Sequence, residues 1–206
     1  MNRLIDITRP LSPGVACWPG DQPTELIRNA SLADGASVNL SSLTASVHNS
    51  THVDATLHYD DAGQGIEALD LALYVGPCVV LDVRGSDPIT AEQLPETLPP
   101  RVLFKTGGWP DSAVFPDDFP VLHVDTAQAL RDRGARLIGV DVPSVDKPTS
   151  KDLPVHHALH AADLRILESL DLSEVQPGPY ELIALPILIP GSDGAFVRAV
   201  LRSLQP

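Results

Sequence analysis

The sequence contains few cysteines, few lysines and no long hydrophobic run. Its cysteines are Cys17 and Cys78, which are too few for a disulfide framework and form no paired zinc motif. Its lysines are Lys105, Lys147 and Lys151, and its 14 basic residues are outnumbered by 27 acidic ones, which gives a formal net charge of −13. Because binding to phosphates needs clustered Lys and Arg, we exclude nucleic acid as a partner. No apolar run approaches the ~18 residues of a membrane span, so we expect no membrane contact.

Several common catalytic signatures are also missing. The chain has no Gly-rich phosphate loop, no Gly-x-Ser-x-Gly elbow and no cysteine–histidine nucleophile motif. The segment from Met1 to Asp6 lacks the basic region and apolar stretch of a signal peptide, so we expect a cytoplasmic protein. None of these motifs therefore competes with the histidine-rich part of the chain for the role of active site.

Length and composition predict one globular unit with rigid loops. The chain has 206 residues, 43% of them hydrophobic, which favours a single domain over residues 1–206 with a sizeable core. It contains 20 prolines, about twice the usual share of roughly 5%. Since proline fixes φ and donates no amide hydrogen bond, we expect few long helices.

Short segments rich in Val, Ile and Leu, bounded by Gly, Pro or Asp, predict strands. These segments are Leu4–Ile7, Ser37–Ser46, Cys78–Val83, Arg101–Lys105, Leu137–Val140, Arg165–Glu168 and Tyr180–Ile187. Helix signals are fewer, and they predict helices over Thr90–Leu94, Ala127–Arg133 and Pro154–Ala161. Strands outnumber the interleaved helices, so we predict a strand-rich α/β fold.

Three histidines and an aspartate lie close together in one segment of the chain. They are His48, His52, Asp54 and His58. Imidazole nitrogens and carboxylate oxygens are ligands that suit zinc, manganese and related divalent ions. His52 and Asp54 are two residues apart, so on an extended strand they face the same way. Three ligands around one ion would leave positions open for water, as in a catalytic site.

The same pattern allows simpler interpretations. A histidine beside an aspartate is often only a hydrogen-bonded pair, and the spacing matches no short zinc motif such as His-Glu-x-x-His. A second polar group lies downstream and comprises His156, His157, His160, Asp163 and Glu168. His156 and His160 have the i, i+4 spacing of neighbours on a helix, so they are either a ligand pair or, as we favour, a solvated face.

The segment from His48 to His58 resembles the signature His-x-Gly-Thr-His-x-Asp-x-Pro-x-His of the cyclase-like metal hydrolases. Within that family, the chain is similar to the bacterial kynurenine formamidases, which are arylformamidases. The similarity extends almost from end to end. It is carried by Asp6–Leu11, Trp18–Asp21, Gly139–Asp146, Pro154–Leu159, Arg165–Leu170, Tyr180–Pro186 and Gly191–Val200.

The resemblance implies a swivelling β/β/α fold, a homodimer and a site for two divalent metal ions, usually zinc, with manganese as the alternative. The implied reaction is hydrolysis of the aryl formamide N-formyl-L-kynurenine to L-kynurenine and formate, as part of tryptophan degradation. The implied metal ligands, with Asp54 shared between the two ions, are His48, His52, Asp54, His156 and Glu168.

The resemblance also assigns two residues that are not ligands. His58 would be the catalytic acid/base, and its unperturbed pKa of about 6.5 suits a proton shuttle near neutral pH. Trp18 would line the substrate pocket and pack against the aromatic ring of the substrate. Without the resemblance, we would interpret Trp18 as packing over a Pro-Gly turn and His58 as a hydrogen-bonding neighbour of Asp54.

This sequence departs from the signature at two positions. Ser50 replaces a glycine that would permit positive φ, and Thr56 replaces a rigid proline before His58. Neither change removes a ligand. Two alternatives remain: a related metal-dependent hydrolase that opens a cyclic amide such as isatin, and a non-catalytic metal-binding domain.

Overall fold

The computed structural model describes residues 3–204 and consists mainly of short strands. In chain order the strands are β1 (Leu4–Asp6), β2 (Glu25–Ala30), β3 (Leu40–Thr44), β4 (His52–Asp54), β5 (Val75–Asp82), β6 (Arg101–Lys105), β7 (Leu137–Val140), β8 (Arg165–Glu168), β9 (Gly178–Ile183), β10 (Gly194–Phe196) and β11 (Val200–Ser203). Nine of them form one sheet in the spatial order β1-β11-β9-β5-β6-β7-β8-β4-β10. The strands β2 and β3 pair with each other in a separate hairpin.

The described residues contain two α-helices, α1 (Thr126–Asp132) and α2 (Pro154–Ala161). Single turns of 3-10 helix occur at Leu32–Asp34, Thr56–His58, Ile66–Ala68, Leu71–Tyr74 and Ala91–Gln93. Neither α-helix among residues 3–204 has the length and apolar character needed to cross a membrane.

The centre of the sheet is parallel, and its margins are antiparallel. Strands β5 to β8 run parallel, with α1 between β6 and β7 and α2 between β7 and β8. Such crossovers place helices on a face of the sheet. Because the central strands are then covered on both faces, their sequences are continuous apolar runs. On the far side of β8 the short strand β4 pairs antiparallel, followed by β10.

Alternate residues of the central strands pack into two different cores. In β6, Val102 and Phe104 belong to the core beneath the helices, while Leu103 belongs to the core on the opposite face. That second core collects side chains from both ends of the strand order, including Leu201 of β11 and Ala195 of β10. The sheet therefore curls around its second core.

The predicted strand-rich α/β class is confirmed, and most predicted elements are present. The strands β6, β7 and β8 and the helix α2 have the predicted bounds. The prediction of a helix over Thr90–Leu94 is wrong: the segment forms only the turn Ala91–Gln93, closed by a capping box, and Pro95 follows too soon for a longer helix. The strands β2, β4, β10 and β11 lie outside the segments predicted as strands.

Candidate metal centre

Strand β4 places two of the candidate ligands on one face. His52 and Asp54 alternate with Val53, whose side chain is fully buried in the opposite core. Because β4 pairs with β8 so that His52 lies opposite Glu168, these two side chains also share a face. The Nε2 atom of His52 is 3.4 Å from Asp54 Oδ1 and 3.4 Å from Glu168 Oε2. Sheet pairing thus unites residues that are remote in sequence.

Helix α2 supplies a further histidine to the same point. His156, in the first turn of α2, is buried, and its Nε2 atom lies 3.5 Å from Asp54 Oδ2 and 3.7 Å from Glu168 Oε1. Its Nδ1 atom is 2.7 Å from Asp146 Oδ2. The Asp146 carboxylate also accepts hydrogen bonds from the backbone N–H groups of Val155 and His156, each at 3.0 Å. The Asp146 carboxylate therefore accepts hydrogen bonds from free backbone N–H groups at the start of α2 and also orients the imidazole of His156.

The loop before β4 contributes His48. Its Nδ1 atom lies 3.2 Å from Asp54 Oδ1, and its Nε2 atom lies 3.0 Å from Asp193 Oδ2. The ring rests against Gly194 of β10, where an added Cβ would come within 2.7 Å of His48 Cε1. The carbonyl oxygen of Asp193 accepts a hydrogen bond from Ala55 N at 2.8 Å. Edge strand β10 and the residue before it thus determine where His48 can lie.

Ser50 adopts the backbone conformation that a glycine would favour. Its φ is +62°, in the left-handed region, and its carbonyl oxygen accepts a hydrogen bond from His52 Nδ1 at 2.9 Å. Its buried hydroxyl donates to the carbonyl oxygen of Arg9. The serine therefore keeps the conformation that orients His52 and adds a contact that glycine could not make.

The residues fit a divalent metal by an observation independent of the sequence pattern. Among residues 3–204, four buried atoms without a hydrogen-bond partner meet here, namely His52 Nε2, Asp54 Oδ1, Asp54 Oδ2 and His156 Nε2. Buried polar atoms are normally paired, so this concentration needs a ligand to satisfy it. Three groups hold their donor atoms within 4.8 Å of one another. His48–His52–Asp54 and Asp54–His156–Glu168 share Asp54, and His48–His58–Asp193 lies beside them. Nitrogen and oxygen donors of this kind suit zinc or manganese.

The buried side chains of this cluster shift one another's pKa values strongly. Burial opposes the charged form of His52, but the carboxylates of Asp54 and Glu168, each 3.4 Å from its Nε2 atom, outweigh it and raise the pKa of His52 to about 10. Burial is likewise outweighed at His156, where the hydrogen bond to Asp146 and the nearby carboxylate of Asp54 raise the pKa to about 10. Burial would raise the pKa of Asp54, yet its close contacts with the three surrounding histidines hold it well below its usual range. Without metal, protons therefore occupy nitrogens that face the centre.

His58 lies beside this cluster. It ends the 3-10 turn that follows β4, and its ring centroid is 3.9 Å from that of His48. Its Nδ1 atom is 3.5 Å from Asp193 Oδ2. Burial lowers the pKa of His58, so the neutral form predominates near pH 7. A neutral, partly exposed imidazole is suited to accept and return a proton.

A cavity of about 390 Å³ opens over the cluster. His48, His58, His156 and Glu168 line its inner part, and aromatic side chains line its wall. Trp18 is half-buried and makes an edge-to-face contact with Phe115, with ring centroids 5.2 Å apart. The cavity therefore combines polar groups at its base with an apolar wall, as small-molecule sites generally do.

The structure brings together all the residues selected from the sequence. The implied ligands and His58 form one cluster, and Trp18 lines the cavity above it, while His157 and His160 are exposed on α2. The roles of these residues stay predictions. Sequence reasoning missed Asp146 and Asp193, which hold the outer nitrogens of His156 and His48. Both lie in segments that carry the family resemblance, but nothing local marks them as partners of histidines.

Comparison with known proteins places this geometry in context. The family model described as "Putative cyclase" matches residues 5–147. The kynurenine formamidase of Geobacillus thermodenitrificans (strain NG80-2) is 41% identical, over 99% of this chain and 99% of that protein, and the one from Bacillus anthracis is 41% identical over 98% and 99%. A solved structure of a potential metal-dependent hydrolase with cyclase activity superimposes over 100% of both chains, with a TM-score of 0.85 and 27% identity. Isatin hydrolase A from Ralstonia solanacearum has the same fold, with a TM-score of 0.81 over 98% of this chain and 92% of that one, at 24% identity.

Proposed function

Since this chain belongs to the cyclase family and matches kynurenine formamidases over nearly its full length, we propose that it is a metal-dependent amidohydrolase. The proposed reaction is the cleavage of N-formyl-L-kynurenine to L-kynurenine and formate in tryptophan degradation. The observation that carries the proposal is the meeting of unpaired, buried donor atoms of His52, Asp54 and His156 at the base of an aromatic-walled cavity. A site of this kind activates water and places it beside an aromatic substrate.

We assign two divalent ions, zinc or manganese, to the cluster. His48, His52 and Asp54 would hold one ion, and Asp54, His156 and Glu168 the other, in keeping with the two donor groups that share Asp54. When bound, such ions polarise a carbonyl oxygen and lower the pKa of water from about 15.7 to about 7. The backbone N–H of Val145 donates to Glu168 Oε1 at 2.8 Å, which fixes the orientation of that carboxylate before metal arrives.

We assign proton transfer to His58. Cleavage of an aryl formamide requires a proton on the departing aniline nitrogen, and a neutral imidazole can take one from water and deliver it there. Two observations support this role: burial lowers the pKa of His58, and the contact of its Nδ1 atom with Asp193 leaves Nε2 available. General acid–base help of this kind typically contributes about 10²–10⁴-fold in rate.

We assign the aromatic wall to recognition of the substrate ring. Trp18 lines the cavity with Phe115 and Trp109, and its half-exposed indole offers a flat apolar face. Aromatic pairs contribute roughly 0.5–1.5 kcal/mol beyond the burial of their area. The wall therefore holds the ring while the formyl group reaches the polar base.

A substrate assay tests the proposal. Purified protein loaded with zinc, and separately with manganese, is incubated with N-formylkynurenine or with isatin, with and without a chelator. We expect kynurenine to form and the chelator to abolish its formation. Turnover of isatin alone would favour the cyclic amide alternative, and no turnover of either compound by metal-loaded protein would refute the assignment to this reaction class.

Homodimerisation, a single domain over residues 1–206 and a cytoplasmic location follow from the resemblance and the sequence, and they stay predictions. Sedimentation analysis of the purified chain tests the first of these. A sedimenting species of one chain's mass at micromolar concentration would contradict it.

A further inference from the structure

Lys151 differs from the other lysines in its contacts. Lys105 donates to two backbone carbonyl oxygens at 2.8 Å, and Lys147 pairs with two carboxylates. Within residues 3–204, the exposed ammonium of Lys151 has neither a hydrogen bond nor an ion pair. An exposed ammonium without contacts among the described residues is available to a ligand.

Lys151 lines the cavity over the metal-binding cluster, and no other lysine or arginine of the described residues does so. The acidic side chain of Asp21, which follows the Trp18 turn, also lines this cavity. Asp21 and Lys151 are exposed, whereas His156 and Glu168 are buried, so the two opposite charges lie at the outer part of the cavity. One Asp21 oxygen accepts a hydrogen bond from the neighbouring backbone N–H at 2.8 Å, which steadies the carboxylate.

We infer that Lys151 and Asp21 form a subsite for an α-amino acid group, with Lys151 binding the α-carboxylate and Asp21 binding the α-ammonium. The inference rests on the proposed function, because the formyl group must lie at the metal-binding cluster for the rest of the substrate to reach outwards. In N-formylkynurenine the amino acid side chain is attached to the ring carbon next to the formamide. With the ring against Trp18 and the formyl group at the base, that zwitterion extends towards the outer part of the cavity.

This arrangement predicts selectivity rather than catalytic power. Groups that contact the substrate equally in the ground state and the transition state change KM and leave kcat alone. The ion pairs of Lys151 and Asp21 with the substrate would be partly exposed, so salt weakens them, since the Debye length falls to about 3 Å at 1 M. Isatin has no amino acid group, so the subsite would separate the two candidate substrate classes.

The experiment compares two substrates that differ only in this group. N-formylkynurenine and 2-formamidoacetophenone share the aryl formamide and the ketone, but the second lacks the amino acid. The ratio of their kcat/KM values is measured for the metal-loaded wild type, Lys151→Met, Asp21→Asn and the double variant. Arg28→Met, which removes an exposed charge from β2 outside the cavity, is the matched control.

We expect the wild type to prefer N-formylkynurenine, each single variant to reduce that preference about fivefold through KM, and 1 M salt to have a similar effect. Arg28→Met should keep the wild-type ratio. Equal loss of activity on both substrates, or an unchanged ratio in both variants, would overturn the subsite. If the wild type hydrolysed both compounds equally well, the subsite would be wrong while the formamidase proposal stood. If it hydrolysed neither, the proposed function itself would fail.

Discussion

Gly194 lies against the ring of His48, and its replacement by alanine tests whether that ring must stay where it is. The new Cβ would lie 2.7 Å from His48 Cε1, 3.0 Å from Nε2 and 3.2 Å from Nδ1. Carbon atoms normally approach to about 3.5–4.0 Å, so the ring would have to move by roughly 1 Å. It has little freedom to do so, because Asp54 and Asp193 hold its two nitrogens and His58 packs beside it.

Displacement of a ligand by about 1 Å affects metal binding more than folding. Loss of correct ligand orientation typically costs 10- to 100-fold in metal affinity or activity. We therefore expect Gly194→Ala to weaken binding of one ion by about 10- to 100-fold, as measured by competition with a chromophoric chelator on metal-free protein. Gly14→Ala is the control, because the added Cβ would only make an ordinary 3.8 Å contact with Ser12.

A double-mutant cycle separates this effect from general misfolding. In a His48→Ala background the Gly194→Ala change has no ring to displace, so it should cost little further metal affinity. Circular dichroism should show that every variant is folded. If Gly194→Ala bound both ions as tightly as the wild type, or if its cost persisted without the His48 ring, the assignment of His48 as a positioned ligand would be refuted.

Three further predictions follow from the contacts around the cluster. Asp146→Asn removes the carboxylate that orients His156 and caps α2, so metal affinity measured on apoprotein should fall by about 10- to 100-fold, and unchanged affinity would contradict the role. Ser50→Gly relieves a left-handed backbone conformation that costs about 1–2 kcal/mol, but it loses a buried hydrogen bond to Arg9 worth about 1 kcal/mol. Urea unfolding should therefore give a free energy of unfolding within about 1 kcal/mol of the wild type. A loss above about 3 kcal/mol would contradict this balance of the two effects. The pKa values of His52 and His156 are raised to about 10 without metal, so protons compete with metal below that pH. Metal affinity should therefore rise with pH from 6 to 9. Calorimetry of metal binding in two buffers should detect proton release, and an absence of proton release would contradict the protonated state of these histidines.

The parts of the fold that could be predicted from sequence are those with a local signal. Strands β6, β7 and β8 are continuous apolar runs between breakers, because both of their faces are buried. Strand β2 could not be predicted, because its residues are almost all exposed and no hydrophobic alternation marks it. Strand β10 is three residues long and is defined only by its pairing with β4.

The same distinction applies to the candidate site: residues with a local signal in the sequence could be identified, and the others could not. His48, His52 and Asp54 were evident from the sequence because they are close together in the chain. The residues alone left His156 and His160 as either a ligand pair or, as we favoured, a solvated face, and only the family resemblance selected His156. In the structure His156 is buried in the cluster while His160 is exposed, so the solvated face is wrong for His156. Asp193 could not be identified, since its contact with His48 joins residues that are far apart in sequence.

Metal content and kynurenine release, measured together in the wild type and in His58→Ala, test whether this site is a metal-dependent formamidase with His58 as its proton shuttle. We expect two ions per chain in both proteins, with kynurenine formed by the wild type and almost none by the variant. Loss of metal from His58→Ala would contradict its assignment as a proton shuttle. Failure of metal-loaded wild type to release kynurenine would refute the proposed formamidase activity.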